Sequence, residues 1–187
     1  MDKKEHTALQ RKVEFYNMVP NLIWSVIFIT PIFIFFYQNI NLKWILIFAA
    51  ISFSSVFLPN FFFKFFQLGK SVSIYKKCGV VFISRFTQNG AIVNKIIRKK
   101  YPNYKTVSAK NNTIEKVFRR TFMFEKFHFM MFLFFFFAAV YALVHAFFGW
   151  ALFITFANVA FNVYPMFLQQ YIRLRLSSLN RHKPVSR

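Results

Sequence analysis

Four apolar blocks dominate the chain and decide which solvent it folds in. They run roughly from Val19 to Tyr37, Trp44 to Phe63, Phe127 to Phe148 and Gly149 to Gln169. Each is long enough to cross about 30 Å of hydrocarbon as a helix. A chain of 187 residues that is 57% hydrophobic, with 31 Phe, has too small an interior to hide that surface from water. The expectation is an all-α integral membrane protein in which residues 1–187 form one membrane domain. Four transmembrane helices (19–37, 44–63, 127–148, 149–169) flank a basic, partly helical cytoplasmic segment, 64–126. The first block is longer than the apolar region of a secretory signal, contains Pro31 and lacks a small-x-small cleavage site, so it reads as retained.

Charge orients this arrangement. The chain has 25 Lys plus Arg against 5 Asp plus Glu. The basic residues border the apolar blocks, so anionic membrane lipid, rather than nucleic acid, is the expected partner. Four lie before the first block, fifteen between Lys64 and Lys126, and five from Arg173 onward; only Lys43 lies in the first hairpin. Cytoplasmic termini and a cytoplasmic middle segment therefore place 24 of the 25 inside. Within that segment the apolar clusters Val80 to Phe86 and Ala91 to Ile97, broken by Gly79, Gly90 and Pro102, read as short interfacial helices with Phe and Ile down and Lys up. Asn112 with Glu115 marks the start of a helix running into the third span. Trp24, Tyr37, Trp44 and Trp150 fit interfacial anchors.

Elimination narrows the chemistry. The single aspartate, Asp2, rules out Asp-x-Asp, aspartyl-phosphate and His-x4-Asp sites, and no Gly-x-Ser-x-Gly, P-loop or dinucleotide fingerprint occurs. One cysteine, Cys78, allows no internal disulfide or thiolate metal cluster. No metal and no bound cofactor is expected. What remains is Glu125-Lys126-Phe127-His128, where spacing of three puts a rare carboxylate and an imidazole on one helix face. A histidine held by a carboxylate serves as a general base toward a hydroxyl. The structural alternative pairs Glu125 with Arg120 or Lys126 and leaves His128 as an interfacial residue.

The fourth block carries a second polar set. Asn158, Asn162, Gln169 and Arg173, spaced four, seven and four, fall within roughly 60° on an ideal helix. Pro165 lies close to this stripe and removes a backbone donor, freeing a carbonyl near Asn162. Such a stripe either lines a site or bonds neighbouring helices together. Tyr141 and His145 share another face and read as packing, and Cys78 beside Lys76 and Lys77 has no partner motif.

Together the two sets resemble the glycosyl-diaponeurosporenoate acyltransferases, small membrane enzymes of bacterial carotenoid (staphyloxanthin) biosynthesis. Thr121, Glu125 and His128 match that family's Thr-x3-Glu-x2-His block. Asn162, Gln169, Tyr171, Arg173 and Arg175 match its terminal Asn-containing stretch and Gln-Arg-Tyr-Asn-Arg-x-Arg. Gln170 stands where the family usually has Arg, and Ile172 where it has Asn. The resemblance implies transfer of a fatty acyl group to a hydroxyl of a lipid-soluble glycoside at the cytoplasmic face of a bacterial cell membrane. It implies acyl-CoA or another acyl carrier as donor. His128 would be the base oriented by Glu125, with Asn162, Gln169, Tyr171, Arg173 and Arg175 binding substrate. The other class open to the chain is a non-enzymatic membrane scaffold or complex subunit, its polar stripe packed against a partner. A transporter fits less well, because no inverted repeat is visible.

Overall fold

In the computed structural model the described residues are 3–86, 91–100 and 111–181, and all their regular structure is helical. Asp2, Gly90, Pro102, Lys183 and Arg187 lie outside them, as does the Trp24 side chain. Helix α1 (Lys3–Asn39) is followed by α2 (Leu42–Ser54), α3 (Asn60–Phe65), α4 (Val72–Lys77), α5 (Val80–Ile83) and α6 (Ala91–Lys100). The long α7 (Asn111–Val144) then leads into α8 (Phe148–Asn158), which continues through a π turn (Val159–Val163) into α9 (Tyr164–Arg181).

Local chemistry sets the breaks. Asn39 turns its side chain back onto the Phe35 carbonyl (3.1 Å), and Asn41 caps α2 by accepting from the Lys43 N–H (2.9 Å). Ser54 and Ser55 donate to the carbonyls of Ile51 and Ser52, loosening the helix just before Pro59. The second expected span is therefore interrupted. Its apolar helical part, Leu42–Phe57, extends about 24 Å at 1.5 Å per residue, short of the hydrocarbon core.

Two helical stretches among the described residues are long and apolar enough to cross a membrane: Glu115–Val144, of 30 residues, and Phe148–Ser178, of 31. They contain the fourth expected span and all but the last four residues of the third. The first lies within α1, whose described apolar stretch is Ser25–Asn39, and the second corresponds to the shorter apolar helix Leu42–Phe57, so four crossing helices are not shown among the described residues. The turn between α7 and α8 closes with Ala146 at φ 61° and the Phe147 N–H on the Ala142 carbonyl (2.8 Å).

The main core lies where α1, α7 and α8 meet. Ile32, Phe35 and Phe36 pack against Phe135, Ala138 and Ala142 and against Ala151, Ile154 and Ala157. The alanines let these helices approach closely, which suits association in lipid. Tyr141 donates its hydroxyl to the Asn39 carbonyl (3.2 Å), so the α1–α2 and α7–α8 turns lie at the same end.

The middle segment gains a tertiary contact that sequence spacing does not give. Gly79, in the left-handed region at φ 76°, turns the chain between α4 and α5. Tyr75 and Val80 then pack with Tyr171, alongside Leu68, Val72 and Phe167. These helices dock on α9. Helix α7 begins at Asn111, and Glu115 pairs with Arg119 (2.7 Å); the Asn112 side chain lies outside the described residues.

Candidate functional site

The π turn builds the upper half of the site. The Tyr164 N–H reaches back five residues to the Val159 carbonyl. Pro165 has no N–H to give the carbonyl four residues before it, that of Phe161. The Phe161 backbone faces His128 on α7, as does the side chain of Asn162. Asn162 Nδ2 donates to Asn158 Oδ1 (2.8 Å), and Asn158 Nδ2 donates to the Phe132 carbonyl of α7 (3.0 Å). The buried His128 Nδ1 itself makes no hydrogen bond.

The lower half is a buried ion pair with an amide at its centre. Glu125 on α7 is 1% exposed, Gln170 on α9 2% and Arg173 3%. Glu125 Oε1 accepts from Gln170 Nε2 (2.7 Å), while Oε2 meets Arg173 Nη2 at 2.5 Å. That second contact lies outside hydrogen-bond angles and is held by charge. The Arg173 guanidinium also covers the Phe122 ring at 4.1 Å. Gln170 then reaches the middle segment: Nε2 donates to the Phe66 carbonyl (3.2 Å), and Oε1 accepts from the Leu68 N–H (3.2 Å). Tyr75 shares its hydroxyl proton between Gln170 Oε1 (3.0 Å) and the Gly69 carbonyl (3.2 Å). Burial pushes the Tyr75 phenol above its ordinary pKa, against the opposing pull of the Gly69 backbone and Arg173.

The expected residues fall at two levels of the helices, His128 with Asn162 and Glu125 with Arg173, with a different division of labour. Glu125 is not among the groups that meet His128; its carboxylate is occupied by Gln170 and Arg173, not by the imidazole. Arg173 is buried in that ion pair, with none of its guanidinium nitrogens in a hydrogen bond. Arg175 is exposed, 5.7 Å above the Tyr171 ring, and Tyr171 is buried beside Tyr75. Gln169 is half-buried and makes no hydrogen bond among the described residues.

Gln170 and Tyr75 are the residues that helical spacing misses. A π turn takes in one residue more than an α turn, so everything after it falls back by about 100°. Gln170 then occupies the face that regular spacing assigns to Gln169. Thr121 bonds only its own helix, at the Phe118 carbonyl (2.6 Å). His145 stacks on Tyr141 at 4.0 Å. Cys78 is exposed.

Described residues that are helical throughout their regular structure, with two bilayer-length apolar helices that bury an ion pair and a glutamine beside a half-buried histidine, have the makings of a membrane enzyme. Residues 59–182, two thirds of the chain, match the family model described as glycosyl-4,4'-diaponeurosporenoate acyltransferase. The chain belongs to that family, and so to the acyltransferases of carotenoid biosynthesis. The match begins at Pro59 and takes in the docked middle segment as well as the two long helices. No curated protein and no solved structure matches the chain.

Proposed function

We propose that the protein transfers a fatty acyl group from a thioester donor, such as acyl-CoA, to a hydroxyl of a glycosylated carotenoid or related glycolipid. Family membership supports the reaction class. The observation that carries the mechanism is His128, whose buried Nδ1 lacks a hydrogen bond at the level of Asn162. Nδ1 takes the proton of the acceptor hydroxyl as its oxygen attacks the acyl carbonyl. The new C–O bond forms, the C–S bond breaks, and the imidazolium returns the proton to the departing thiolate. Asn162, held by Asn158 and adjoining the Phe161 backbone, positions His128 and lies within reach of the developing oxyanion.

The sealed trio of Glu125, Gln170 and Arg173 serves as a positioning unit that joins α7, α9 and the 66–75 segment. Arg175 and the exposed lysines of the middle segment attract the donor's phosphates, while Gln169 meets the sugar. In the membrane, α7 and the α8–α9 helix cross, and α1 and α2 insert beside them. Both hairpin turns then face outward, with the termini and the middle segment on the cytoplasmic side of a bacterial cell membrane, against anionic lipid.

The test is lipid and pigment mass spectrometry of cells making the protein or its His128→Ala variant. The acylated species is expected with the first and should fall by about 10²-fold or more with the second. Full transfer by a correctly inserted variant sinks the general-base role. An unchanged lipid and pigment profile with the unaltered protein favours the scaffold reading instead.

A further inference from the structure

A cleft of about 380 Å³ opens between α1 and α8, lined by Ile27, Pro31, Gly149, Trp150 and Phe153. It is a shallow depression open over most of its surface, and every residue around it is apolar or glycine. It lies away from the polar cluster but is joined to it by stacked rings. The Phe161 backbone faces His128, and the Phe161 ring packs on Phe28 at 4.6 Å. Phe28 in turn packs on Phe153, a wall of the cleft, at 6.3 Å.

Depth identifies the occupant. From Asn162, at the level of His128, to Phe153 is nine residues and to Gly149 thirteen, about 14 and 20 Å along the helix. A hydrocarbon core of about 30 Å holds two acyl chains end to end, so one chain extends about 15 Å. An acyl group with its carbonyl at His128 therefore ends inside the cleft. Gly149 provides an opening in the cleft's wall, since a Cβ there meets nothing within 4 Å.

Building on the proposed acyl transfer, we infer that this cleft receives the methyl end of the transferred chain and sets the chain length the enzyme accepts. Gly149 and Trp150 stand at its far end. The binding is apolar and shape-limited, so each methylene that no longer fits lowers transfer by roughly tenfold or more.

The experiment compares full-length protein, Gly149→Phe and Trp150→Ala in membranes, each given acyl-CoA donors of graded chain length. Gly149→Phe is expected to shift the preferred donor to shorter chains, with the shortest donors still used at the original rate. Trp150→Ala shifts preference to longer chains and is the deciding variant if Gly149→Phe does not accumulate. An unchanged chain-length profile in an accumulating variant overturns the cleft assignment while leaving the proposed reaction standing. Absence of transfer by the unaltered protein with every donor overturns the reaction itself, and the cleft assignment with it.

Discussion

Neither Glu125 nor Arg173 is stable as a lone charge where it sits, and each is there because of the other. Arg173→Leu leaves the carboxylate buried and unpaired, an expected loss of about 3–5 kcal/mol, whereas replacing both residues by apolar ones of similar volume recovers most of it. Thermal unfolding of the single and double variants in detergent measures the difference. Tyr75 gives a second handle. Its folded pKa lies above the ordinary phenol value of 10.0, chiefly through burial. The stabilisation from docking the neutral phenol is therefore complete below that value and is lost as pH rises through the higher folded one. Ultraviolet titration of the protein against Tyr75→Phe is expected to show one phenol ionising late, together with loosening of the 68–75 segment. At this scale the sequence exposes Glu125 and His128 by their rarity. It does not reveal that the carboxylate turns toward α9, because that choice depends on which helix packs against it.

The π turn decides which face of α9 looks inward, and its cause is partly visible in the chain. Pro165 removes one helical hydrogen bond and marks Asn162's neighbourhood as irregular, but nothing in the local composition says that one extra residue is absorbed there. Regular 100° spacing therefore selects Gln169, while the folded helix presents Gln170. Pro165→Ala restores an N–H to the Phe161 carbonyl and favours an unbroken α-helix. It is expected to rotate Gln170 off Glu125 and displace Asn162 from His128, lowering acyl transfer by on the order of 10²-fold. A kinetic assay beside far-ultraviolet circular dichroism separates this from unfolding: activity falls while helix content holds. The two longest apolar blocks are legible because α7 carries no competing breaker and the π turn carries α8 on into α9 past Pro165. The second block is overcalled, since Ser54, Ser55 and Pro59 end α2 by local bonds that hydropathy ignores.

For the molecule as a whole, sidedness rests on the distribution of lysine and arginine, and the protein carries its own probe. Cys78 is the single cysteine and is exposed on the docked middle segment. A membrane-impermeant thiol reagent is expected to label it in inside-out vesicles and not in intact cells, while Lys43→Cys in a Cys78→Ser background shows the reverse. Labelling of Cys78 from outside would invert the proposed topology. The bonds that Gln170 makes with Leu68 and Phe66 join residues 102 and 104 positions apart. A ribosome adding about 5–20 residues per second needs roughly 5–20 s to travel that distance. Throughout that interval the basic segment has emerged without the glutamine that fastens it. The Gln170 anchor is therefore made last, when the final helix arrives, and a truncation before Gln170 is expected to leave the 66–75 segment without it.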